Sequence, residues 1–425
     1  EIVAAYREAF EGLDPAGRKR DAFLDRLASI QGIYLPHAYE VRHTDDGSVA
    51  AVVPRHANVP PVVLKRRLKD VNQFETISLL KTPRAEYGHM SLLEVGKGCG
   101  RGCRFCLEGE IYRPVRHRSL ESLRETVAKI AKDGKRVGLV GACVSDYPWI
   151  GELMKILEEH GVEVSISSLR ADSLTEDLVR SLKRGGHRTL TMAPEAGTER
   201  LRQVIRKTIS DEQLYAACHL LRRHGIPNLK CYFMIGLPTE TREDIEAIPD
   251  LAGRLLDRLR VLDPDGHPFG KLTLSISSFV PKPWTPFQWA PFDEPRSLEE
   301  KLGIIKRGVA RFSNVRVLHE NPREAFLQAL LARGDRRVAE FLETAARLGG
   351  DWRKALREWE GDPAFYTTRA RPLDEVFPWD HLDVGVKKAG LIREYQKAGL
   401  DPERTTEQKS GGARAWRQPG VPVPS

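Results

Sequence analysis

Short apolar runs rich in β-branched residues recur through the middle of the chain, at Ser91–Val95, Arg136–Ala142, Val162–Ser168, Thr189–Ala193, Leu229–Gly236 and Leu272–Val280. Each has the length and near-continuous hydrophobicity of a strand buried on both faces of a parallel sheet. Between them, Leu120–Lys132, Ile150–His160, Leu174–Lys183, Glu199–His224 with a break near Ser210, and Glu240–Leu259 place apolar residues at helical spacing. Such strand–helix alternation predicts an α/β fold with parallel pairing through crossovers. A partial (β/α)6 TIM-type barrel is its natural closure, with chemistry at the C-terminal ends of the strands.

The flanks read differently. Residues 1–90 carry a helical lead-in, Ile2–Phe10, then a hairpin in which Glu40–His43 and Val49–Val53 surround a polar Asp46-Gly47 turn. The opening at Glu1, already in a helical pattern, reads as the exit from an upstream domain. Residues 91–290 hold the barrel core, and 291–400 form a mainly helical region that includes Arg296–Arg311 and Arg323–Leu348. Residues 401–425, rich in Gly, Pro and polar side chains, have the composition of a disordered tail.

The formal net charge is +8, but the basic residues are dispersed, as in Arg18-Lys19-Arg20 and Arg222-Arg223, the pattern of solvated helix faces. No RNA-binding module or aromatic stacking platform is recognisable. The longest apolar runs are far too short for a membrane span. Sparse cysteines fit a reducing cytoplasm.

Three of the 6 cysteines cluster in Gly98-Cys99-Gly100-Arg101-Gly102-Cys103-Arg104-Phe105-Cys106, directly after the first predicted strand. Chance would give this CxxxCxxC spacing about once in a thousand chains of this cysteine content. Three thiolates make an iron–sulfur site with one iron left open, since four is the complement of an electron carrier. A structural zinc site needs a fourth ligand, usually in a second paired unit, and Cys143, Cys218 and Cys231 are isolated.

The CxxxCxxC run, with Phe105 before its third cysteine, resembles the signature of radical S-adenosylmethionine (SAM) enzymes. The resemblance implies that Cys99, Cys103 and Cys106 hold a [4Fe-4S] cluster whose fourth iron is chelated by SAM. It also implies reductive cleavage of SAM to methionine and a 5′-deoxyadenosyl radical that abstracts hydrogen from a substrate. A low-potential donor such as flavodoxin or ferredoxin would supply the electron.

Cofactor contacts are expected from Phe105, from Gly141 in Val-Gly-Ala-Cys-Val-Ser-Asp, from Ser168 and Arg170 in Ser-Ser-Leu-Arg-Ala-Asp, from Glu195 in Ala-Pro-Glu-Ala-Gly, and from Gly236 in Met-Ile-Gly-Leu-Pro-Thr-Glu. Alternatives stay open at several of these. Gly-Leu-Pro also suits a plain strand-to-helix corner. Arg170 and Glu195 also suit barrel-mouth ion pairs. Trp284, Phe287 and Trp289 offer either a substrate platform or packing for the barrel edge.

More narrowly, Phe105–Arg116, Ser278–Pro283, Thr285–Trp289 and Pro378–His381 are similar to an uncharacterised radical SAM family that usually carries an N-terminal cobalamin-binding-like domain. Asp380-His381-Leu382-Asp383-Val384-Gly385 does not match Asp-x-His-x-x-Gly, so this chain does not support cobalamin binding. The substrate is open between small molecule, peptide and RNA. Ribosome-linked or RNA modification, cobalamin-assisted methyl transfer, and a non-catalytic iron–sulfur sensing module are the competing functions.

Overall fold

The computed structural model describes residues 1–10, 18–78 and 80–401. The predicted tail beyond Asp401 therefore lies outside the described residues. Among the described residues two compact units result, one within Glu1–Lys69, Gly334–Gly361 and Arg371–Gly390, the other within Asp70–Arg333, Asp362–Ala370 and 391–401.

In the smaller unit, Tyr39–His43 and Val49–Pro54 form the expected antiparallel hairpin, joined by the Asp46-Gly47 turn. Val63–Leu64 pairs in parallel with Leu382–Asp383, so the unit is closed by chain segments more than three hundred residues apart. Its small core gathers Ala28, Ala38, Tyr39, Val59 and Val63.

The larger unit contains the alternating elements. Strands β1 (Ser91–Glu94), β2 (Arg136–Val140) and β3 (Glu163–Ser165) make a three-stranded parallel sheet in chain order. β4 (Thr189–Glu195), β5 (Asn228–Ile235), β6 (Leu272–Ser278) and β7 (Val315–His319) make a four-stranded parallel sheet, again in chain order. A parallel bridge from Leu169 to Met192 carries the order across from the β3 exit to β4. This is a partial, TIM-type barrel, and β7 extends it beyond the six expected strands within the region read as helical. β7 is an edge strand whose side chains are half-exposed or exposed, so it lacks the apolar run of a buried strand.

Helices cover one face of these sheets. α1 (Leu120–Asp133), α2 (Ile150–Glu159), α3 (Glu176–Arg184), α4 (Glu199–Val204), α5 (Asp211–Arg223), α6 (Arg242–Leu259) and α7 (Pro295–Val309) follow the strands. Their starts are written in the sequence: Ser119 accepts from the Ser122 amide, and Ser210 with Gln213 and Thr241 with Asp244 form capping boxes. Ser210 is also why the long helical pattern breaks into α4 and α5. Apolar residues at helical spacing join Leu229, Cys231, Phe233 and Ile235 of β5 in one continuous core. Leu123, Val127 and Ile130 of α1 are examples, as are Ile245, Ile248, Leu251 and Leu255 of α6.

β4 ends irregularly. Cys231 of β5 faces Met192 but Phe233 faces Glu195, so Ala193 and Pro194 stand opposite Tyr232 alone. Pro194 cannot donate to the ladder, and the bulge delivers Glu195 at φ +72° to the strand end.

Candidate cluster and cofactor site

Gly96–Lys97 pairs antiparallel with Arg116–His117, and this short ribbon closes the cysteine loop at the C-terminal end of β1. Gly98 at φ +84° and Gly102 at φ +70° turn the loop, and a Cβ on Gly98 would lie 2.5 Å from the Tyr112 carbonyl oxygen. Only glycine fits there. The Arg101 amide donates to Cys99 Sγ at 3.5 Å. Cys106 caps the short helix Leu107–Ile111, its Sγ accepting from the Gly109 amide at 3.4 Å.

Cys103 is buried, while Cys99 and Cys106 are partly accessible. Burial raises the Cys103 thiol above its usual range, and the Lys207 and Arg170 cations draw it back down. Burial likewise pushes Cys106 up to about 11, against the Gly109 amide. A metal centre bound by these thiols would have to displace their protons. Among the described residues, the one group of three ligand atoms within 4.8 Å of one another is Asp263, Asp265 and His267, not the cysteines. A single tetrahedral zinc at about 2.3 Å from each sulfur would hold the sulfurs closer than that. Three sulfurs on one glycine-hinged loop, two of them receiving amides and the third facing cations, fit an anionic iron–sulfur cluster with a separate iron for each thiolate.

Charged side chains lock the loop in place. Arg101 donates through Nε and Nη2 to both oxygens of Asp146, beyond β2, at 2.6 and 2.5 Å, and through Nη1 to Asp172, beyond β3, at 3.1 Å. Arg170 makes a two-point pair with the same Asp172, both contacts at 2.9 Å. Buried Arg104 reaches the Val204 carbonyl at 2.7 Å and Glu394 of the C-terminal helix Lys388–Lys397 at 3.1 Å. Burial pushes the Asp146 carboxyl up, but the Arg101 guanidinium outweighs it and holds the group below its ordinary value.

The expected cofactor residues take distinct positions. Phe105 is half-buried inside the loop, and Ser168 is exposed beyond β3. Gly141 follows β2 with its Cα side against Val95, where a Cβ would approach the Val95 methyl to 3.3 Å. Glu195 accepts from Lys207 Nζ at 3.2 Å, and burial raises its carboxyl despite that cation. Gly236, at φ +80°, gives its amide to the Glu240 carboxylate at 2.9 and 3.0 Å, and Lys301 closes on Glu240 at 2.6 Å. Its amide is thus used inside the corner. Cys103, Arg170, Glu195 and Lys207 converge electrostatically. Phe287 and Trp289 are fully buried core residues, with Trp289 edge-on to Tyr395, whereas Trp284 is half-buried.

Arg101, Asp146, Asp172 and Lys207 are the groups that sequence reasoning did not single out. Asp146 and Asp172 end the motifs around Gly141 and Arg170, and a charged arginine between two cysteines was the available signal. Lys207 sits in the α4–α5 connection, where no periodicity marks it.

Residues 93–252 match the radical SAM superfamily, so the larger unit carries a radical SAM domain, a class that works with a [4Fe-4S] cluster and SAM. An uncharacterized protein of Methanocaldococcus jannaschii is 40% identical over 259 residues, covering 60% of this chain and 55% of that protein. The ribosomal protein uS12 methylthiotransferase of Thermotoga petrophila is 24% identical over 169 residues, 37% of this chain and 39% of that enzyme. The chain spans about half the length, or less, of these curated relatives. Among solved structures, a radical SAM methyltransferase from Kitasatospora setae aligns with a TM-score of 0.39 and 16% identity, over 65% of this chain and 50% of that one. No helix among the described residues is long and apolar enough to cross a membrane.

Proposed function

We propose that this protein is an enzyme that cleaves SAM reductively and uses the resulting radical to take hydrogen from a substrate. The observation that carries the reading is the CxxxCxxC loop at the end of β1, which supplies three thiolates to a four-iron cluster and would leave the fourth iron to SAM. When bound, the cluster supplies the electron that breaks the sulfonium C–S bond. The chain's own contribution is placement. Cys99, Cys103 and Cys106 hold the cluster, and the Arg101–Asp146 and Arg101–Asp172 pairs fix the loop against the ends of β2 and β3. Lys207 and Arg170 set positive potential beside Cys103. Phe105, Gly141, Ser168, Arg170, Glu195 and Gly236 stand as the SAM-contacting set, with the Gly236 amide already engaged by Glu240. Flavodoxin or ferredoxin suits the role of electron donor.

The test is anaerobic reconstitution with iron and sulfide, followed by SAM and dithionite and quantification of 5′-deoxyadenosine. The wild type should form it and Cys103→Ala should not. Failure of a wild type that holds its full iron complement would leave a binding or sensing role.

A second reading, modification of a ribosomal or RNA substrate, draws support from relatives named as uS12 methylthiotransferase and tRNA-2-methylthio-N(6)-dimethylallyladenosine synthase, the latter 25% identical over 226 residues in Rickettsia akari. Incubation with ribosomes or tRNA and mass analysis for added mass separates it from small-molecule chemistry.

A further inference from the structure

We infer that the face of the β4–β7 sheet turned away from the helices binds an anionic group of the substrate, a phosphate or a carboxylate, on Lys230 and Arg316. The inference rests on the proposed reaction for calling the ligand a substrate, but its geometry stands apart from the cluster loop.

Along β5, Leu229, Cys231, Phe233 and Ile235 are buried in the core shared with the helices, whereas Lys230 and Tyr232 alternate with them and point to the other face. The parallel register sets Lys230 beside Thr191 of β4 and Thr273 of β6, and Thr273 in turn beside Arg316 of β7. One layer across the sheet therefore carries two cations separated by a hydroxyl and flanked by another. Lys230 lies over the Tyr232 ring, 4.7 Å from its centre. Among the described residues, no carboxylate pairs with Lys230 or Arg316.

Several buried cations of the same unit are matched by carboxylates, Arg170 by Asp172, Arg202 by Asp211, and Lys301 by Glu240 and Asp293, whereas buried Arg222 is held by the Val261 and His267 carbonyls. Lysine is also a poor residue for a strand flanked on both sides, as β5 is by β4 and β6. A half-buried charge in that position, facing hydroxyls and no counter-ion, is what an anion site presents before its ligand arrives. Lys230 lies five residues before the end of β5, about 16 Å along the strand. The layer is thus a subsite separate from the groups at the strand ends, and the substrate it suits is long enough to reach both.

The test uses the full chain with its cluster reconstituted. Inorganic phosphate and succinate are titrated separately, with binding read by thermal shift, for wild type, for Lys230→Met combined with Arg316→Met, and for a control combining Lys132→Met with Lys155→Met on the outer helices. We expect saturable binding of one or both probes by wild type and control, weakened at least tenfold in the Lys230/Arg316 variant, and weakening as salt rises. The stronger probe identifies phosphate or carboxylate as the recognised group. Should Lys230→Met/Arg316→Met misfold by circular dichroism, Lys230→Gln alone replaces it. Equal binding by all variants, equal loss in the control, or no binding by wild type overturns the inference. Because no deoxyadenosine is measured, these outcomes are independent of whether SAM is cleaved.

Discussion

The strand ends of β1–β3 and the inner face of β4–β7 treat charge in opposite ways. Around β1–β3, the cations beside the cysteine loop are held by carboxylates: Arg101 by Asp146 and Asp172, Arg170 again by Asp172. On the inner face of β4–β7, Lys230 and Arg316 have no carboxylate partner among the described residues. Paired charges fix geometry, whereas half-buried Lys230 and exposed Arg316 are open to a ligand from outside. The first region therefore reads as a prebuilt holder for a cofactor loop, and the second as a surface whose electrostatic complement comes from outside the chain.

That contrast can be broken at several points. The largest effect is expected from Cys103→Ala, which removes the buried member of the thiolate set and should abolish both the cluster's visible absorbance and deoxyadenosine formation. Next, Asp172→Ala strips the shared partner from two arginines, one of them buried, and should cost about 3 kcal/mol in chemical denaturation. Gly98→Ala forces a left-handed backbone on a residue whose new methyl meets the Tyr112 carbonyl, for a loss of about 2 kcal/mol and a lower iron content.

The other region should respond with the opposite sign. Lys230→Met removes an unmatched charge from a strand with neighbours on both sides and should leave stability unchanged or raise it by up to about 1 kcal/mol. A clear loss of stability would mean that Lys230 is a structural residue and the contrast is false. The smallest effect concerns pH. Asp146 is held below its ordinary value in the folded chain, so its contribution is fully present above the unfolded value and is lost as pH falls through the folded one. Asp146→Asn should therefore flatten the acid limb of the stability curve below about pH 4, by about 1 kcal/mol or less.

How much of this was legible depended on chain distance. The six strands, the hairpin, the α4–α5 break at Ser210 and the cysteine loop are local patterns, and each stands where its sequence placed it. β7 was not legible, because Val315 and Val317 alternate with Arg316 and Leu318 in a short edge strand that no helix-and-core periodicity distinguishes. The Arg104–Glu394 contact spans 290 positions, and the parallel pairing of Val63–Leu64 with Leu382–Asp383 spans more still. No spacing rule reaches that far. At the site, residue types were readable but partners were not: Arg170 and Glu195 are at their strand ends, yet only the fold shows that Asp172 and Lys207 hold them.

The central claim is an iron left open by a three-cysteine loop, and electron paramagnetic resonance of the reduced cluster with and without SAM tests it most directly. The account predicts a [4Fe-4S] signal in the wild type whose g-values change when SAM is added. A wild-type signal that SAM leaves unaltered would contradict it, because the fourth iron would then be closed to the cofactor.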